Sequence, residues 1–346
     1  MIPYPENEQA KSAAINELME KWGAKIGPER FESDGFYPHY FSQHPRVLFI
    51  GREGYYMKGR NYIEVFHRVY SNSHFDEGAD VSTDAFHRKI LYFAYCFKHD
   101  FPEWKDVPYP RDMKEKFTPD GISFAFMNLS KISGDEYRTT NWNEVRESID
   151  LSGDFNKQEI ALLEPDIIVT MNFMDIDWAR KSLFDACELV DNCDRDISVY
   201  RAEVNGRKVW VFDTWHFSAH YKREYEEFYV PLRHAYHKYV TGDLYWDGKN
   251  ATHATQHEVP DKYAFISEIA EKLAQQNKTM PAAELAAMMN QKGFKTMQGD
   301  PYVEGGRGIY RVISYAYTFF ERIHEDEKAA HIANTFTKAD GKLAWE

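Results

Sequence analysis

The sequence predicts an α/β protein, with a central, mainly parallel sheet flanked by helices and a small all-α module after it. Three observations carry that prediction. Short apolar runs ending in Gly or Asn recur through the first two thirds of the chain. Helical stretches alternate with those runs, and past about residue 255 only helical spacing is left.

The first element, Glu6 to Trp22, reads as an amphipathic helix, since Ala10, Ala13, Ile15, Leu18, Met19 and Trp22 fall near helical spacing. RVLFIGREGYY then gives an apolar run, Val47 to Ile50, stopping at a glycine, which is the pattern of a buried parallel strand feeding a loop. Three more runs follow: Ile122 to Met127 before Asn128, Ile167 to Met171 before Asn172, and Val209 to Phe212 before DTWHFS. Helices are expected between them at Asp84 to Phe97, Trp142 to Leu151 and Lys157 to Leu163. The segment VYRAEVNGRKVWVF reads as a hairpin turning on Asn205-Gly206, the dipeptide that a type I′ turn favours. Periodicity fades between Gly242 and Thr255, so the domain division is expected as 1–245 and 256–346. In the tail, helices are expected at Tyr263 to Gln275, Pro281 to Lys292 and about Gly308 to Glu327.

Composition narrows the function classes. The content of 43% hydrophobic and 28% charged residues supplies a packed core and argues against disorder. A net charge of −13 argues against a protein that coats nucleic acid electrostatically, though a local basic groove is compatible with it. After residue 250 there are 11 Lys and Arg against 13 Asp and Glu, so most of the acidity belongs to the first part. Cys96, Cys187 and Cys193 lack CxxC spacing and cannot alone build a disulfide framework or a four-cysteine metal site. No basic-then-apolar leader opens the chain and no stretch approaches 18 apolar residues, so a cytoplasmic protein with no membrane partner is expected. GxGxxG after a strand, GxxxxGK[ST], HExxH and GxSxG are all missing, and no cofactor is implied. His216 and His220 stand four apart and would share a face if helical, but spacing offers no third ligand, and no metal is assigned.

Chemistry-bearing residues gather at the strand ends: Glu53 in GREGYY, Asn128 in FMNLSK, and His216 and Ser218 in DTWHFSAH. In this order they resemble the three site motifs of the uracil-DNA glycosylase superfamily: a first loop of the GQDPY type, a middle strand ending in a base-reading Asn, and a late HPSP-type loop. The resemblance runs from Arg46 to His234. Gly51, Glu53 and Tyr55 fall on the glycine, the acidic residue and the tyrosine of the first motif, with Gly54 in place of its proline. His216 and Ser218 fall on the histidine and serine of the last, with Phe217 and Ala219 in place of its prolines.

What the resemblance implies is a DNA glycosylase of that superfamily's fold, cleaving the N-glycosidic bond of a flipped uracil or other damaged or modified base. Glu53 and His216 would be catalytic, Tyr55, Phe97 and Asn128 base-binding, and Gly51 and Ser218 backbone- or phosphate-binding. The residue types suit the chemistry. Positive charge builds on the sugar and negative charge on the departing base, so a carboxylate and a hydrogen-bond donor both stabilise the transition state. Phe97 is chosen from Tyr92, Phe93, Tyr95 and Phe97, a cluster lying where the family places its stacking ring. Each residue also has a duller reading: Glu53 as a surface carboxylate, Asn128 as a strand terminator, His216 as a satisfied buried histidine.

The tail stretch MPAAELAAMMNQKGFKTMQGDPYVEGGRGIYRV resembles the helix-turn-helix segment near the ends of serine recombinases. Glu284, Leu285, Ala286, Met289, Asn290, Gly293, Thr296 and Gly299 match, and Tyr302 stands for the usual Trp. That resemblance implies a DNA partner, contacted by Lys292, Lys295, Arg307 and Arg311. The plainer alternative is a helical packing module with solvated charges, and a protein partner is the other expectation for an inactive member of the fold.

Overall fold

The structure, a computed structural model, describes residues 2–134, 139–193, 196–241, 259–296, 300–322, 325–338 and 341–344. The chain divides into two compact units, Met1–Trp246 and Asp247–Glu346. The expected linker, Gly242 to Thr255, lies outside the described residues.

In chain order the first unit contains α1 (Glu6–Ile26), β1 (Gly35–Phe36), β2 (Val47–Gly51), α2 (Tyr62–Asn72), α3 (Ala85–Lys98) and β3 (Ala125–Asn128). It continues with α4 (Trp142–Ser152), α5 (Phe155–Leu163), β4 (Ile167–Met171), α6 (Asp177–Leu183), β5 (Ala186–Cys193), β6 (Ile197–Val204), β7 (Arg207–Thr214) and α7 (Val230–Tyr236). Among the described residues these strands form one sheet in the order β1-β3-β2-β4-β7-β6-β5. The central four are parallel, while β1 and the β6–β5 pair run antiparallel at the two sides.

The central strands are apolar throughout because both sheet faces are covered. Side chains alternate across a strand, so Val47 and Phe49 of β2 join the core beneath α2, α3 and α7, while Leu48 and Ile50 join the core beneath α1, α4, α5 and α6. The β6–β7 turn takes positive φ at both Asn205 and Gly206, the conformation of a type I′ hairpin.

Several boundaries differ from the sequence expectation. β3 starts at Ala125 rather than Ile122, because Phe124 and Ser123 instead bond the chain near Tyr37. α2, α6, α7, β1 and β5 are additional elements. The tail also departs from an all-α module. In the second unit α8 (Asp261–Gln275), α9 (Ala282–Gln291), α10 (Arg307–Arg322) and α11 (Asp326–Thr335) share one core, and Met280–Pro281 pairs in parallel with Phe336–Thr337. Pro281 therefore precedes α9 rather than opening it, and the helix expected from Gly308 to Glu327 is divided between α10 and α11. No helix among the described residues is long and apolar enough to cross a membrane.

Candidate functional site

β2, β3, β4 and β7 all end at the same edge, at Gly51, Asn128, Met171 and Thr214. The chain passes from β2 to β3 on one side, then crosses back to β4 on the other. The order thus reverses at β2, and in open α/β sheets the crevice at such a switch point, outside the carboxyl ends of the strands, is where ligands bind. Gly51, Glu53, Tyr55, Asn128, His216 and Ser218 all lie on that edge.

The loop after β2 is held as a continuation of the β2–β3 pairing. Leu129 N–H donates to the Gly51 carbonyl at 3.0 Å, Ser130 N–H to Arg52 at 2.8 Å, and Gly134 N–H to Gly54 at 2.9 Å. Within the loop the Tyr55 hydroxyl donates to Glu53 Oε1 at 2.7 Å, which fixes one oxygen of the candidate catalytic carboxylate.

Asn128 is buried, and its amide is engaged from below. Nδ2 donates to Glu32 Oε1 at 2.6 Å, and Oδ1 lies over Gly51, where a Cβ would meet it at 2.4 Å. The backbone of Asn128 is anchored too, donating to Asp34 at 2.7 Å. Beneath lies a fully buried ion cluster in which Lys131 contacts Asp34 at 2.6 Å and Glu159 at 2.9 Å.

The segment after β7 is a series of turns rather than a helix, so His216 and His220 do not share a helical face. Among the described residues no group of three or more His, Cys, Asp or Glu is placed to hold a metal ion. His216 Nδ1 accepts the Ser218 backbone N–H at 3.2 Å. An amide can only donate, so Nδ1 carries no proton and Nε2 does. Burial pushes the imidazole down to about 3, and the positive charges of Arg52 and Lys89 push the same way. The side chain is a neutral donor at physiological pH.

Phe97 lies away from this edge. It is a core residue, 1% exposed, packed on Phe101 at 5.0 Å and Tyr236 at 5.6 Å. The ring that reaches His216 is Phe86, half-buried, at 5.8 Å between centroids. Asp84 places it by capping α3, accepting the backbone N–H groups of Phe86 at 2.8 Å and His87 at 3.1 Å. Tyr62, in the first turn of α2, stacks on Phe126 at 4.2 Å, and Phe126 in turn lies against Gly51.

Two further residues organise the crevice. Arg52 donates to the carbonyls of Met171 at 3.0 Å and Asn172 at 2.8 Å, tying the β2 loop to the end of β4, and lies 5.1 Å over Trp142. Asp213 accepts from Thr170 Oγ1 and Asn172 N–H, each at 2.8 Å, and from the amides of Phe173 and Met174 at 3.3 Å. Burial pushes its carboxyl up to about 6, against those hydrogen bonds.

No family model matches this chain, and no curated protein matches it.

In the second unit, α10 turns Ile309, Val312, Ile313, Ala316 and Phe320 inward and leaves Arg311 exposed. Lys292 and Lys295 are exposed after α9; the side chain of Arg307 and all of Gly299 lie outside the described residues. α9 ends at Gln291 and α10 starts at Arg307, a wider interval than the 3–4-residue turn of a compact helix-turn-helix. The Asn290 side-chain amide holds the Tyr302 backbone from both sides, Nδ2 donating to its carbonyl and Oδ1 accepting its N–H, each at 2.8 Å.

Proposed function

We propose that the first unit is a base-excising N-glycosylase acting on a DNA base flipped into the crevice at the ends of β2, β4 and β7. The observation that carries the reading is His216. It is a neutral imidazole with its proton on Nε2, flanked by two cations, on the same strand-end edge as Glu53. A donor in a positive field stabilises an anionic leaving group, and a neutral donor does so without holding an extra proton in the ground state.

In the proposed reaction the C1′–N bond breaks with its electron pair passing to the base, and Nε2–H of His216 donates to the base oxygen where that charge collects. The Glu53 carboxylate faces the cationic sugar and orients a water. Water attacks C1′, its proton leaves to Glu53 and passes on through solvent to the departing base anion, and the free base, an abasic sugar and the Glu53 carboxylate result. Phe86 supplies a flat surface for a flipped base, the part earlier assigned to Phe97.

A second reading, a catalytically silent fold that binds nucleic acid or a protein, is favoured by one observation: the Asn128 amide is committed to Glu32 rather than left open. One experiment separates the two. Single- and double-stranded oligonucleotides carrying uracil, a deaminated purine or a modified cytosine are incubated with the protein, then treated with hot alkali. Cleavage that disappears in Glu53→Gln and His216→Ala supports the glycosylase. Absence of cleavage on every substrate, with oligonucleotide binding retained, rejects it for the binding protein.

A further inference from the structure

Lys89 lies in α3 and is 1% exposed. A buried ammonium needs compensation, and this one has three partners. Nζ donates to the Phe217 carbonyl at 2.8 Å, has the Glu224 carboxylate at 3.9 Å, and sits 4.9 Å from the centre of the Phe228 ring. Glu224 is shared with Arg88 at 2.6 Å. Phe86 and Lys89 are three apart on one helix, so α3 offers a ring and an ammonium to the His216 loop from a single face.

The carbonyl that Lys89 holds belongs to the peptide joining Phe217 to Ser218. The N–H of that same peptide is the one donated to His216 Nδ1. In a trans peptide the C=O and N–H point in opposite directions, so fixing one end aims the other. The ammonium also polarises the peptide, which strengthens the outgoing N–H as a donor.

We propose that Lys89 is the positioning residue of the His216 loop, acting through the Phe217–Ser218 peptide to hold His216 as an Nε2–H donor. The catalytic part of this inference rests on the glycosylase reading; the tautomer part does not. Burial lowers Lys89 to about 8, with Glu224 raising it, Arg88 lowering it and Asp84 raising it. Its charge is present below that pH and is lost above it. On the imidazole side the charged neighbours are Arg52 and Lys89 itself.

The test is ring-nitrogen NMR of histidine-labelled protein without substrate, for the wild type, Lys89→Met and Lys89→Gln, with circular dichroism confirming that each is folded. In the wild type His216 keeps an unprotonated Nδ1 and a protonated Nε2 between about pH 5 and 8, where an ordinary histidine titrates. In Lys89→Met the two nitrogens average towards a tautomer mixture, and Lys89→Gln, which keeps an N–H donor, restores part of the wild-type pattern. An unchanged His216 signal in folded Lys89→Met overturns the proposal whatever the enzyme assay gives. In the assay, kcat of Lys89→Met is expected to fall about 100-fold with KM nearly unchanged, and the loss of activity above about pH 8 expected of the wild type should disappear. A basic limb that persists in Lys89→Met also overturns it. If Lys89→Met fails to fold, Glu224→Gln takes its place: Lys89 then loses its neighbouring carboxylate and the basic limb moves to lower pH, and a limb that stays put counts against Lys89.

Discussion

The Glu32 carboxylate supports Asn128 from one oxygen and presses against the backbone of Gly54 with the other. Oε1 accepts the Asn128 amide at 2.6 Å, and a Cβ at position 54 would lie 2.0 Å from Oε2. One buried side chain therefore sets both the Asn128 amide, proposed to read a base, and the loop that carries Glu53.

The protonation of Glu32 is the first quantity to test. Burial, with the Asp34 charge behind it, pushes this carboxyl up to about 7, from an ordinary 4.5. An acid whose folded value is raised contributes stability that is fully present below its unfolded value and is lost as pH rises through the folded one. Stability should therefore fall between about pH 4.5 and 7, by up to about 3 kcal/mol from this group. Glu32→Gln keeps an acceptor for Asn128 and removes the titration. Urea denaturation across that range should show a shallower decline in the variant and greater stability than the wild type at about pH 8. Parallel curves would mean that Glu32 is ionised throughout.

Gly54→Ala tests the other oxygen. Glu32 has little room to retreat, because it is fully buried and its partner oxygen is bonded to Asn128. A destabilisation of about 1–3 kcal/mol is expected, the usual range for overpacking. Pairing Gly54→Ala with Glu32→Ala in a double-mutant cycle should recover about 1 kcal/mol or more as coupling between contacting residues. Additive losses would place the strain elsewhere in the loop.

The parallel strands were readable because strands covered on both faces are continuously apolar, as VLFIG and IIVTM are. β5 was not. Its sequence, ACELVDNC, is mostly exposed and is a strand only through pairing with β6. Phe97 was misplaced because LYFAYCF is apolar on several sides of the helix, so spacing does not say which ring faces the site. Phe86 had a usable signal, an aromatic two residues after the capping Asp84. Arg52 stood inside the quoted GREGYY motif, on the residue after the strand glycine. Asp213 stood first in the quoted DTWHFSAH motif, whereas Glu32 and Lys89 had no local signal. All three act on Asn128, Phe217 and the residues after Met171, partners far away in sequence and close only in the fold.

Asp213 gives a prediction about order at the crevice. Its carboxylate gathers the amides of Asn172, Phe173 and Met174, and Arg52 holds the carbonyls of Met171 and Asn172 from the opposite side. In Asp213→Asn the amide nitrogen cannot accept, so the Oδ2 contact to Met174 or the Oδ1 contacts must be given up. A loss of about 1.5–3 kcal/mol is expected, as for a hydrogen bond to a charged group. Hydrogen exchange should show the amides of 172–174 losing protection, and any base-release activity should fall with it. Unchanged exchange at those amides would show that Arg52 alone orders the turn.

The second unit's proposed DNA contact is separable from catalysis by its salt dependence. The chain as a whole carries −13, so binding that depends on phosphate contacts has to come from local cations, and Lys292, Lys295 and Arg311 are exposed in the α9–α10 region. Each cation that touches a duplex phosphate contributes about 0.9 to the slope of log K against log salt. Lys292→Gln, Lys295→Gln and Arg311→Gln should each weaken duplex binding across sequences and flatten that slope by about 0.9, read by fluorescence anisotropy over a salt series. Lys272→Gln is the control, since that lysine is exposed on α8 and already paired with Glu268 at 2.6 Å. A slope that responds to Lys272 as much as to the other three would reflect net charge alone. A slope that responds to none would leave the unit as a helical packing module, with its cations solvated rather than recruited.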